Sequence, residues 1–305
     1  MIGRKYATLL LLFFTAFVTV NVTAKEKKVI GITLHPYYSF VKNIVGDLAE
    51  VQPLIGAEHN PHSYEPLPED IKKISGFDVL VVNGIGHDEF AFEILKAAQL
   101  DDKVPLIYAN DGVALIPVAG TSAEEKIVNA HTFVSITTSI QQILQIAKSL
   151  GEIDPDNAAQ YRKNAQAYTR RLRKMKARYM DKLRGVDVAS FKCATIHGAY
   201  GYFLHEFGIK VSAVIEPRHG VQPSASQLKD TIDKINKLDV DIIFSEMKFP
   251  SKYVDTIKAE TGVGVYSFSH ITGGDYTASQ FEDEMKANME SLTGALLETQ
   301  RRKAN

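Results

Sequence analysis

The 305-residue chain is 45% hydrophobic and 23% charged, lacks tryptophan and carries a formal net charge of -1. This is ordinary globular composition, long enough for one large domain or two of typical size. So even a charge balance gives no electrostatic case for nucleic acid as a partner.

The chain begins "MIGRKYATLLLLFFTAFVTVNVTAKEKK". Arg4 and Lys5 form a basic start, Ala7 to Val20 an apolar run too short to span a bilayer comfortably, and "VTA" a small-residue cleavage site. A signal peptide over 1–24, cleaved after about Ala24, is therefore expected, with an uncleaved anchor as the alternative. Taking Arg4 and Lys5 from the 35 basic residues leaves 33 against 36 acids, a net -3. No cysteine near the cleavage site offers a lipid attachment point, so the mature chain is expected as an exported, soluble, periplasmic monomer. Cys193 is the sole cysteine, which excludes an intramolecular disulfide. Its apolar run, "FKCATIH", reads as a buried strand and an inert thiol.

Strand-like runs then alternate with helical patterns. "KVIGIT" (28–33), "VQPLIG" (51–56), "FDVLVVNG" (77–84) and "VPLIYA" (104–109) read as strands, with helices near 36–49, 68–74, 89–98 and 136–150. The rhythm returns in "FKCATIH" (191–197), "IKVSAVI" (209–215), "VDIIFSE" (240–246) and "VGVYSF" (263–268). Helices are expected between these strands near 199–207, 224–237 and 250–261, and a last one near 278–299. Between the halves, residues 154–185 hold no glycine or proline from Asp156 to Arg184, and Tyr161, Ala165, Tyr168, Leu172, Met175, Tyr179 and Leu183 recur at helical spacing. They predict one helix of about 28 residues, roughly 40 Å long, capped by Asp154 or Asp156, with "RRLRKMKAR" as its solvated face. The expected architecture is two parallel-sheet α/β lobes, 25–153 and 187–305, joined by a long rigid helix over 154–186.

Nine histidines stand at 35, 59, 62, 87, 131, 197, 205, 219 and 270. His35 follows the first strand, His62 follows the second by a short loop, His197 ends "CATI", His270 follows "VYSFS", and His131 precedes a helix. Ligands of open α/β sheets bind beyond the carboxyl ends of the strands, so these positions can converge. A site rich in imidazole and poor in carboxylate favours zinc, copper or nickel over calcium, magnesium or manganese. No HExxH, CxxC, GxSxG or phosphate-binding glycine loop is present, and "GIGHDEF" is too poor in glycine for a nucleotide fingerprint.

"NPHSYEPLPEDIKKISGFDVLVVNG", "NAHTFVS", "IHGAYGYFLHEFGIKV", "SASQL" and "IFSEMKFPSKYVDTIKAETGVGVYSF" together resemble the metal-binding receptors of bacterial zinc and manganese ABC importers. The likeness covers nearly the whole mature chain. It implies one metal in the cleft between the lobes, bound for an ABC permease in the inner membrane, and no enzymatic activity. By position it makes His62 and His131 the ligands of the first lobe and His197 the first ligand of the second. Manganese-type members tend to carry a carboxylate where His197 stands, so the resemblance favours Zn2+ over Mn2+. Where the family usually has an aspartate after the last strand, this chain reads "FSHITGG", with Ser269 in register and His270 beside it. His270 is taken as the fourth ligand; water, Asp275 and His219 are the alternatives. The segment before His131 lacks the His- and acid-rich loop of many zinc-type members, so no accessory metal-collecting loop is expected.

The other histidines read as bystanders. Pro61 restricts Asn60 to extended backbone, which would turn His59 and His62 to opposite sides. His87 reads as a helix-start residue, His205 as helix surface and His35 as a cleft border, while Glu65 and Glu246 are candidate acceptors orienting ligand imidazoles. Two rival functions follow from the same residues. One is a three-histidine zinc hydrolase with Glu246 or Glu216 as base; the other is an adhesin or metallochaperone on the same fold.

Overall fold

The computed structural model describes residues 26–117, 128–215, 224–247 and 251–304. The signal segment, His219, Glu216 and most of the stretch before His131 fall outside them. The first lobe runs β1 (Val29–Ile32), α1 (His35–Val45), β2 (Glu50–Pro53), α2 (Pro68–Ile74), β3 (Val79–Val82), α3 (Glu89–Ala97), β4 (Leu106–Tyr108) and α4 (Ile136–Ile153). After α5 (Ala158–Lys182) the second lobe runs β5 (Cys193–Thr195), α6 (Gly201–Glu206), β6 (Val211–Val214), α7 (Ala225–Leu238), β7 (Ile242–Glu246), α8 (Ser251–Thr261), β8 (Gly264–Phe268) and α9 (Gln280–Ala304). Among the described residues each lobe holds one four-stranded parallel sheet, in order β2-β1-β3-β4 and β6-β5-β7-β8.

The unbroken apolar runs have a physical reason. All four residues of β3 are buried. Val79 and Val81 pack into the core shared with α1 and α4, while Leu80 and Val82 pack on the opposite face with Ile74, Phe90 and Ile94. A strand covered on both faces has no polar face to alternate with. Cys193 lies buried in β5, and burial pushes its thiol up, as an inert cysteine requires.

The helix α5 has 25 residues and starts later than the sequence pattern implies, because Pro155–Asn157 forms a separate 3-10 turn. Asp154 does not cap α5 directly. Its carboxylate accepts from Asn157 Nδ2 and Tyr161 Oη, both at 2.7 Å, and so pins the turn beneath the helix. Tyr161, Ala165, Tyr168, Leu172, Tyr179 and Leu183 are buried and Met175 partly so, while Arg170, Arg171, Arg173, Lys174 and Arg178 face solvent.

Both sheets reverse their strand order at the strand that enters first, at β1/β3 and at β5/β7. A crevice opens at such switch points beyond the carboxyl ends of the strands. A segment of the second lobe straps the two together. His35 Nε2 donates to Gly274 O at 3.0 Å, Tyr276 Oη to Ile55 O at 2.9 Å, Ser39 Oγ to Thr277 O at 2.7 Å and Asn43 Nδ2 to Ala278 O at 2.7 Å.

Candidate metal centre

His62, His131, His197 and His270 meet at the lobe junction, with one ligating nitrogen of each within 4.8 Å of the others. His131 and His270 are buried, His197 is half-buried and His62 exposed. The Nε2 atoms of His131 and His197 are 3.2 Å apart. Two nitrogens bound tetrahedrally at 2.0–2.1 Å would stand about 3.3 Å apart. The donor set therefore fits a small divalent ion at this pair, with the other two nitrogens within 4.8 Å of it.

Each ring is placed by its own local device. Pro61–Ser63 is a 3-10 turn, and Asn60 Oδ1 accepts the His62 N–H at 3.0 Å. Asn60 is extended but the 3-10 turn starts at Pro61, so turn geometry rather than a run of extended chain separates His62 from His59. His59 lies beside Glu58 and packs its ring on Tyr64.

His131 is governed by Asn129. Asn129 Oδ1 accepts the His131 backbone N–H at 3.0 Å, which identifies it as the oxygen, and also faces His131 Nδ1 at 2.8 Å. This holds the ring proton on Nδ1 and leaves the Nε2 lone pair to the cluster. The other end of the same amide donates to Gly198 O at 2.9 Å, the residue after His197. One buried side chain thus fixes ligand positions from both lobes. Burial first, then the neighbouring imidazoles of His87, His270, His197 and His62, hold His131 well below the ordinary histidine pKa, so it is neutral at pH 7.

His270 sits at the end of β8 where the family aspartate was expected one residue earlier. Asn288 of α9 accepts the Ser269 N–H at 2.6 Å and donates to Ser269 O at 2.9 Å, and Ser269 Oγ accepts the Ile271 N–H at 3.0 Å. Ser269 is thereby committed to shaping the turn. Ile271 is held at φ 60°, an unfavourable conformation for a β-branched residue, and is fully buried. Glu246, at the end of β7, lies 3.6 Å from His270 Nδ1. Its charge favours the tautomer that leaves Nε2 as the donor atom. Asp275 is exposed on the strap, Glu65 is exposed beyond the 3-10 turn, and His205 is on the surface of α6. A cleft of about 500 Å³ opens beside His270, lined in part by Glu58, His59, Glu246, Met247 and Glu284.

His87 departs from the sequence reading. It precedes α3, but its ring packs into the cluster, 4.1 Å from the His62 centroid and 4.2 Å from that of His131. The loop "NGIGHD" carries it there with Gly84, Gly86 and His87 all at positive φ. Asp88 is buried and accepts from the Asn83 and Gly84 N–H groups and from Thr33 Oγ1, while burial raises its carboxyl to about 6. The overlooked signal was topological. His87 follows β3, which borders the switch point of its sheet.

Known proteins of the same shape carry metals. The chain is 51% identical to FpvC of Pseudomonas aeruginosa, solved in complex with Ni2+, with a TM-score of 0.83 over 90% of this chain and 98% of that one. FpvC has also been solved with Mn2+. A crystal structure of ZnuA is 28% identical, with a TM-score of 0.72 over 88% of this chain and 99% of that one. The manganese ABC transporter substrate-binding lipoprotein PsaA of Streptococcus pneumoniae serotype 4 is 27% identical over 275 residues, 87% of this chain and 89% of PsaA. The family described as ZnuA, zinc-uptake complex component A periplasmic, matches residues 30–295. The chain belongs to that family, the periplasmic metal-binding proteins of ABC transporters.

Proposed function

We propose that the protein captures Zn2+ through His62, His131, His197 and His270 and delivers it to an ABC permease in the inner membrane. The observation that carries this reading is the donor set: among the described residues four imidazoles converge, and the Glu246 carboxylate faces the His270 ring from outside the group. Such a set suits zinc, nickel and copper better than manganese, which prefers oxygen donors. PsaA is named for manganese and FpvC has been solved with both Ni2+ and Mn2+, so the choice of ion is the point to test. The signal segment 1–24, the lobes at 25–153 and 187–305 with 154–186 between them, and a monomeric mature chain complete the proposal.

Divided ligands provide a release route, because parting the lobes breaks the shell without chemistry. Competition titrations of the purified chain with Zn2+, Ni2+ and Mn2+ test the reading, repeated on His270→Ala. Zinc binding at least a hundredfold tighter than manganese is expected on roughly Irving–Williams grounds, with a large loss in the variant. Equal affinity for manganese, or unchanged zinc affinity in His270→Ala, overturns it.

A further inference from the structure

We propose that His87 is a fifth metal-binding residue: with His62 and His131 it forms a three-imidazole seat on the first lobe that holds the ion before the second lobe engages. This rests on the function proposed above and adds a step to it. His197 and His270 then take over from His87 as the lobes close.

Three observations point this way. The first is distance. The His87 ring centroid lies 4.1 and 4.2 Å from those of His62 and His131, whereas ring pairs within the four-histidine group lie 4.9 to 6.1 Å apart. By ring centroid His87 is thus at least as close to its two neighbours as the proposed ligands are to one another, although its nitrogens are not part of the four-nitrogen group in this arrangement, so a turn of the ring is required to present one.

The second is construction. Asn83 Nδ2 donates to Gly86 O at 2.7 Å and to Ala130 O at 3.1 Å, the residues immediately before His87 and His131. One amide therefore registers the two histidines against each other. Gly86, at φ 127°, closes the approach, since an added Cβ would stand 3.1 Å from Ala130 Cβ. His87 itself is held at φ 74°, a conformation most side chains avoid. Backbone kept in such a region by surrounding hydrogen bonds is a mark of functional loops.

The third is connectivity. His62, His87 and His131 follow β2, follow β3 and precede α4, so all three travel with the first lobe. His197 and His270 follow β5 and β8 and travel with the second. An ion on the open protein can keep three nitrogen ligands from the first lobe alone, a number that zinc accepts with water in the fourth place. On closure, a metal–nitrogen bond to His87 breaks as bonds to His197 and His270 form. Each imidazole enters and leaves neutral with its own lone pair, so charge is conserved and no proton is exchanged.

The test uses the mature protein in two backgrounds, with zinc as the probe. In His197→Ala/His270→Ala, one zinc per chain should remain bound by native mass spectrometry. Adding His87→Asn, which tolerates the positive φ, or His87→Phe, which keeps the ring, should each weaken that binding about tenfold or more. In the otherwise wild-type chain, His87→Asn should slow zinc loading, and an unchanged loading rate overturns the capture step. Affinity of the double variant insensitive to both substitutions overturns the proposal. Loss with His87→Asn alone overturns it too, since that outcome makes His87 a packing residue. A wild-type chain that fails to bind zinc overturns the underlying reading instead, and so distinguishes the two failures.

Discussion

At the scale of single residues, the four imidazoles are positioned by side chains outside their own group. Asn129 selects the tautomer of His131 and grips the residue after His197, so it acts on both lobes at once. Asn129→Ala is expected to weaken zinc binding by roughly 10- to 100-fold, the usual cost of losing a partner that orients a ligand, measured by isothermal titration. Asn288 holds both backbone groups of Ser269, and its loss leaves them unsatisfied in a largely buried turn. Asn288→Ala should destabilise the fold by about 1–3 kcal/mol in urea denaturation. The buried histidines set a pH dependence whose sign can be worked out. His131 and His35 are both lowered from 6.5, burial being the larger cause in each. Below that value the unfolded chain binds more protons than the folded one, so stability present at neutral pH is lost as pH falls from 6.5. Metal-free protein is expected to show a lower urea midpoint at about pH 5.5 than at about pH 7.5, with a shallower dependence in His131→Gln. A pH-independent midpoint would contradict a neutral, buried His131.

At the scale of elements, the lobes are joined by helix ends as much as by the long helix. Glu206, the last residue of α6, reaches the N-terminus of α4, where it accepts from the Ile136 and Thr137 N–H groups and from Thr137 Oγ1. It also pairs with Lys176 of α5 at 3.1 Å and is almost fully buried. A carboxylate at a helix N-terminus meets both free N–H groups and the positive end of the helix dipole. Glu206→Ala is expected to cost about 2–3 kcal/mol, the combined effect of stranded donors and a lost charge interaction, read from chemical denaturation. Beneath the centre, Gln142 Nε2 donates to Tyr37, Asn110 and Thr132, and Asn83 receives the Tyr37 hydroxyl. This buried network ties α1, the ends of β3 and β4, and α4 into one support for the histidine loops.

At the scale of the whole molecule, the four-histidine group is complete only when the lobes are together, since His62 and His131 belong to one and His197 and His270 to the other. An ion that binds the folded state alone stabilises it by mass action, about 4 kcal/mol at a thousandfold excess over Kd. For a chain of this size that should raise Tm by roughly 8 °C or more, reversibly with a chelator. The same closure should protect the backbone amides of residues 273–281 from hydrogen exchange, because that strap carries the contacts from His35, Ser39, Asn43 and Tyr276 to the opposite lobe. Unchanged exchange in the strap on adding zinc would detach lobe closure from metal binding.

Local patterns in the chain were enough to mark the strands, the helices and the two-lobed parallel architecture, because burial on both faces writes itself as unbroken apolar runs. They also marked His62, His131, His197 and His270, together with His35, as lying near a strand end or helix start; it was the family resemblance that singled out the four. Where α5 begins was not legible, since the 3-10 turn at Pro155–Asn157 is stabilised by Tyr161, a full helical turn or more ahead. Nor was the placement of His87, whose one-residue description is that of a helix start. Its place beside His62 and His131 comes from strand order, from Asn83 bridging two loops 44 residues apart between Gly86 and Ala130, and from a backbone conformation that only the surrounding hydrogen bonds sustain. Sequence periodicity reports what each segment buries; which side chains meet is decided by how the buried segments are stacked.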